Sequence, residues 1–293
     1  MSSRGEVSLQ EIMSLVETAR EYLGPMWVKK NMKAAANLPI KGIVNRKQLT
    51  NVHPLGLLFK EVEKTQETLQ KGKPLSNAAT LLMVAGLARN LKSLEIADGF
   101  DLLIDYLKKP LLYSDTALLT EVSAHWLKLG YELKIEADNE KLVATARKDE
   151  YTFQLQVAAY TFLPGHSAPD SSKVVIPGNF IYSSWWEAWT SEAIGTACSS
   201  NPEVESIIAD MELQPADVGR VCYLDLPLYA AKEDFLPILA AAANRLQTAT
   251  TVSAVILCLP QHLPHLYVRH TLPVFAEKCS NPLPKSLLNT LSY

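Results

Sequence analysis

The chain has 293 residues, 48% of them hydrophobic and 20% charged, with a net charge of −3. That is ample apolar material for one large domain or two ordinary ones. The weak negative balance excludes the global basic field expected of a protein whose main task is gripping nucleic acid. No apolar run approaches the roughly 20 residues a membrane span needs, and the opening MSSRGEVSLQEIMSLVETAR lacks the charged-then-apolar layout of a signal peptide. The expectation is a globular, cytoplasmic protein with no membrane partner.

Charge is unevenly spread. Arg4, Arg20, Lys29, Lys30, Lys33, Lys41, Arg46, Lys47 and Lys60 face only Glu6, Glu11, Glu17 and Glu21 in the amino-terminal stretch, whereas the last part of the chain is acidic. Lys29, Lys30, Lys33, Arg46 and Lys47 are therefore the candidates for a polyanion contact, against the plainer reading of a solvated helical face.

In chain order, LQEIMSLVETAREYL places Leu9, Ile12, Met13, Val16, Ala19, Tyr22 and Leu23 on one helical stripe ended by Gly24-Pro25. After the polar connection NLPIKGIVNRKQLTNVHP, an amphipathic helix opens near Pro54 and closes at Gly72. SNAATLLMVAGLARNLKSL, with Ser76 and Asn77 as capping candidates, is apolar almost all round and predicts a buried central helix; DGFDLLIDYLKK predicts a short one. These elements make residues 1–113 an all-helical region.

From residue 114 the pattern changes, and residues 114–293 read as an α/β domain. SDTALLTEVSAHWLKLGYEL is an amphipathic helix, capped at Ser114-Asp115, that runs into Gly130 and a strand. YELKIEA, KLVATAR and YTFQLQVAAY, separated by short acidic turns, form an antiparallel meander. VVIPGNF follows a loop, then the helix-like SSWWEAWTSEAIGTAC and PEVESIIADM. RVCYLDLPL, KEDFLPILAAAANRLQ and TVSAVILCLP complete a strand, helix, strand unit whose continuous apolar runs suit buried parallel strands.

Other residues carry weaker signals. Cys198, Cys222, Cys258 and Cys279 have no CxxC spacing and read as buried free thiols. Trp185, Trp186 and Trp189 offer a stacking or partner surface, or core packing. His262, His265 and His270 are broken up by prolines and complete no metal pattern, and Asp225 ends a strand where α/β sheets often place site residues.

The order helix, three-strand meander, helix, strand, helix, strand, with the run from Glu121 to Glu132, resembles the restriction-endonuclease-like, or PD-(D/E)XK, nuclease superfamily over about Leu91 to Pro260. The resemblance implies a mixed sheet flanked by helices. It also implies a glutamate on the first core helix, an aspartate entering the second strand and an Asp/Glu-x-Lys on the third, holding Mg2+ that activates water. On this chain those positions fall on Glu121, Lys141, Gln154 and Gln156. Two amides and a lysine supply too little negative charge for Mg2+, so no cofactor is expected. The resemblance then implies a degenerate, non-catalytic member acting as a binding or assembly module, with nucleic acid, another protein or a second copy of the chain as partner. Two alternatives stay open: an active Mg2+-dependent nuclease with a displaced site using Glu121 and Glu140, and a structural, oligomerising protein with no nucleic-acid role.

Overall fold

The computed structural model describes residues 8–36, 43–44, 52–72, 78–138, 141–159, 174–175, 202–212, 218–225, 232–263, 266–276, 278–288 and 290–291. The protein is mixed α/β, an amino-terminal helical region followed by a six-stranded mixed sheet flanked by helices.

Helix α1 (Leu9–Leu23) starts with a capping box, the Ser8 hydroxyl accepting from the Glu11 amide while the Glu11 carboxylate accepts from the Ser8 amide. It ends at Gly24, whose φ of 85° favours glycine. The next residue does not leave the helical path. Pro25 opens α2 (Pro25–Ala36), because a proline at the first helical position forfeits only an amide that has no helical partner. As sequence, Gly24-Pro25 predicts a stop with no helix directly after it, so α2 is a departure from the expectation.

Helix α3 (Pro54–Gln70) is capped by His53, whose Nδ1 accepts from the Leu55 amide at 3.1 Å. Helix α4 (Ala79–Leu94) packs between α1, α3 and the later α6, as a central helix should. The helix is preceded by Ala78, and the expected capping residues Ser76 and Asn77 lie outside the described residues. Helices α5 (Phe100–Leu107) and α6 (Tyr113–Lys128) follow. Ser114 lies inside α6 rather than capping it, since the helix begins one residue earlier behind Leu112.

The meander is β2 (Glu132–Asp138), β3 (Lys141–Lys148) and β4 (Tyr151–Ala159). Helix α7 (Pro202–Glu212), β6 (Gly219–Asp225), α8 (Lys232–Leu246), β7 (Val252–Leu263) and β8 (Leu266–Phe275) follow; β1 (Ile43–Val44) and β5 (Val174–Val175) form a separate antiparallel pair, and α9 (Lys285–Leu288) is a short last turn. The sheet order is β2-β3-β4-β6-β7-β8, parallel at β4/β6 and β6/β7 and antiparallel elsewhere. Strands β6 and β7 are therefore the adjacent parallel pair the βαβ reading requires.

Strand alternation divides the sheet into two faces. One face carries Leu133, Ile135, Ala144, Ala146, Phe153, Leu155, Val157, Val221, Tyr223, Ala254 and Ile256, packed in one cluster with Val16, Leu23, Phe59, Leu91, Leu118, Leu119, Val122 and Trp126 of the helices. The other face carries Cys222, Leu224, Val252, Val255 and Leu257, packed against Ile208 and Met211 of α7 and Ile238, Ala242 and Leu246 of α8. The first cluster crosses residue 113 without a break, so the helical region covers the sheet and shares its core. Cys222, Cys258 and Cys279 are buried free thiols.

Candidate functional site

The alternation on β4 decides where the glutamines go. Phe153, Leu155 and Val157 are buried toward α6, which puts Gln154 and Gln156 on the opposite face, half-buried. There the two side chains meet, Gln156 Nε2 donating to Gln154 Oε1 at 2.9 Å. A residue pair two apart on one strand shares a face, so this bond needs no bulge or distortion.

Their strand neighbours are set by register. Thr145 stands beside Gln154 on β3, and Arg220 and Cys222 stand beside Gln154 and Gln156 on β6. Arg220 is 3% exposed and Cys222 1% exposed. Burial pushes the Cys222 thiol up to about 12, against the opposing pull of the Lys141 ammonium. Such a thiol stays protonated and is a poor nucleophile. Lys141 itself is exposed and stands opposite Asp138 in the β2/β3 register.

Glu121 sits elsewhere. It is half-buried on α6, and α6 lies on the other side of the sheet, with its Trp126 ring 5.6 Å from Phe153. The structure thus brings Gln154 and Gln156 together and separates them from the Glu121 helix by the thickness of the sheet. A small crevice of about 10 Å3, room for about one water, is lined by Tyr106, Asp115, Thr116, Lys141, Leu142 and Val157. Among the described residues no group of three His, Cys, Asp or Glu side chains is placed to hold a metal ion.

Lys29, Lys30 and Lys33 are exposed on α2. Arg46, Lys47, Glu140, Trp185, Trp186, Trp189, Cys198 and His265 lie outside the described residues. His262 and His270 fall on the paired strands β7 and β8. Asp225 ends β6, level with Ala159 and Cys258.

Two of the buried polar residues, Arg220 and His53, are titratable and stand outside the sequence candidates. Arg220 was signalled by a charge inside the apolar run GRVCYLDL, a position where arginine is rare without a reason. His53 is 1% exposed and lies edge-on between Trp27, at 4.7 Å, and Tyr113, at 5.4 Å. Burial pushes it down to about 4, against a smaller upward pull from the Leu107 carbonyl. It is a neutral cap, and its signal was a histidine directly before the Pro54 that opens α3.

The chain matches no protein-family model and no curated protein. Fold and site together define a mixed α/β protein with a polar, hydrogen-bonding patch on the face of its meander away from α6. No helix among the described residues is long and apolar enough to cross a membrane.

Proposed function

We propose that the chain is a non-catalytic relative of the restriction-endonuclease-like nucleases, serving as a binding or assembly module. One observation carries this reading. At the positions where the family resemblance puts Asp/Glu-x-Lys, two amides are bonded to each other at 2.9 Å, on the face of β4 turned away from the Glu121 helix.

The chemistry supports it. Mg2+ demands near-ideal octahedral oxygen ligands, usually including one or two carboxylates, whereas an amide pair is neutral and spends only one donor and one acceptor on its mutual bond. Phosphoryl chemistry in such a site needs the metal to activate water and neutralise developing charge. A neutral pair beside Thr145 supplies hydrogen-bond donors and acceptors instead, which suits recognition of a polar partner.

The test is cleavage of single- and double-stranded DNA and RNA with Mg2+ or Mn2+, on wild type and Glu121→Ala side by side. The module reading expects both proteins to leave every substrate intact. Cleavage by wild type that disappears in the variant would make the chain a nuclease with rearranged ligands.

A further inference from the structure

We propose that the outward face of α2 docks the phosphate backbone of a nucleic acid. This goes beyond the module reading and rests on it only in expecting binding without cleavage. Lys29, Lys30 and Lys33 are all exposed, and their spacing of three and four residues sets them in one stripe about 6 Å long. Between Glu21 and Glu61 the chain holds seven lysines and arginines and no aspartate or glutamate, in a protein whose net charge is −3.

Five of the six acids on α1 and α3, the helices packed against α2, are engaged elsewhere. On α3, Glu61 pairs with Lys64, Glu67 with Lys71 and Glu63 with Arg20; on α1, Glu17 also pairs with Arg20 and Glu11 holds the Ser8 cap. Glu21, at the end of α1, is the remaining acid on these two helices. Among the described residues, none of the ion pairs involves Lys29, Lys30 or Lys33. The stripe therefore keeps a net charge of about three.

The occupant follows from what the face lacks. Val28 and Ala35 are buried and Trp27 packs on His53, so the apolar side of α2 is spent within the protein. Outward, Met26, 79% exposed, is the one large apolar side chain, too little to seat a helix in a membrane. Three lysines on a convex helix make point contacts without reading bases, as backbone contacts do.

The experiment is fluorescence anisotropy with a labelled single-stranded oligonucleotide and its duplex, between 50 and 200 mM salt, the range over which phosphate contacts lose affinity steeply. Wild type, K29E/K30E/K33E, the charge-neutral K29Q/K30Q/K33Q and the exposed-lysine control K92E on α4 are compared, with circular dichroism verifying each fold. Charge reversal is expected to weaken binding at least tenfold and to lower the slope of log K against log salt by about 2 to 3, with the glutamine variant intermediate and K92E like wild type. Wild type that binds neither oligonucleotide, or a folded reversal variant that binds as well as wild type, overturns the proposal. So does lysine-dependent binding to phosphatidylserine vesicles without oligonucleotide binding. Cleavage of a bound oligonucleotide in Mg2+ would instead remove the module reading and leave the docking face standing.

Discussion

The indole nitrogen of Trp126 donates a 2.8 Å hydrogen bond to the Tyr223 hydroxyl, two buried groups 97 residues apart in sequence. The bond pins α6 to β6 through the core and so fixes the side of the sheet on which Glu121 is carried. Tyr223→Phe strands a buried N–H donor, and the expected cost is about 1–3 kcal/mol. Trp126→Ala removes a fully buried side chain and is expected to cost about 3–5 kcal/mol. Urea unfolding checks both: the midpoint falls while the slope stays that of wild type.

His53 ties stability to pH. Its folded-state value of about 4 lies below the ordinary 6.5, so the unfolded chain binds the proton more readily. The stability from the neutral ring is complete above about pH 6.5 and is lost as pH falls toward 4, by about 3 kcal/mol in all. Protonation also removes the Nδ1 acceptor that caps α3. His125, lowered by burial while it donates to the Thr290 carbonyl at 3.1 Å, adds a contribution of the same sign. His53→Asn keeps a capping oxygen and removes the titration, so the gap between wild-type and variant stability is expected to narrow with acidification. A gap independent of pH would contradict this.

Gly99 guards the β2 edge of the sheet. The Ile135 amide donates to the Asp98 carbonyl at 2.7 Å, occupying part of an otherwise open strand edge. Gly99 makes the approach feasible: its φ is 85°, and a Cβ there would stand 2.0 Å from the Ile135 carbonyl oxygen. Gly99→Ala is expected to cost about 1–2 kcal/mol for the left-handed conformation alone, with the collision adding more. Hydrogen exchange at Ile135 reports it, protection there falling further than in the interior strand β6.

The Cys222 thiol, held at about 12 by burial, is expected to resist thiol reagents in the native protein and to label at the rate of unfolding. Mass spectrometry after brief labelling checks this, and rapid native modification of Cys222 would contradict the buried placement.

The meander was legible because alternation, apolar-in and polar-out, is a property of the strand itself, and the acidic turns marked its ends. The parallel β6/β7 pair was legible for a similar reason, since both strands are apolar on both faces. Helix α2 was not, because Gly24-Pro25 carries two meanings and only tertiary placement tells a stop from a restart. The cap of α6 misled in the same way: Ser114 near the helix start advertises a cap that packing does not use.

The candidate site was half legible. That Gln154 and Gln156 share a face follows from a period of two, and their bond follows from that. Which face α6 covers does not follow, because it is settled by long-range packing such as Trp126 on Tyr223 and Phe153. Local pattern therefore places the two glutamines together without showing that the sheet stands between them and Glu121.

The separation of Glu121 from the glutamine pair is tested most directly by Mn2+ titration calorimetry on wild type and Glu121→Ala. The two proteins are expected to give the same heats, with no binding event that depends on Glu121. Binding by wild type that is lost in the folded variant would contradict it and place an assembled metal site at Glu121.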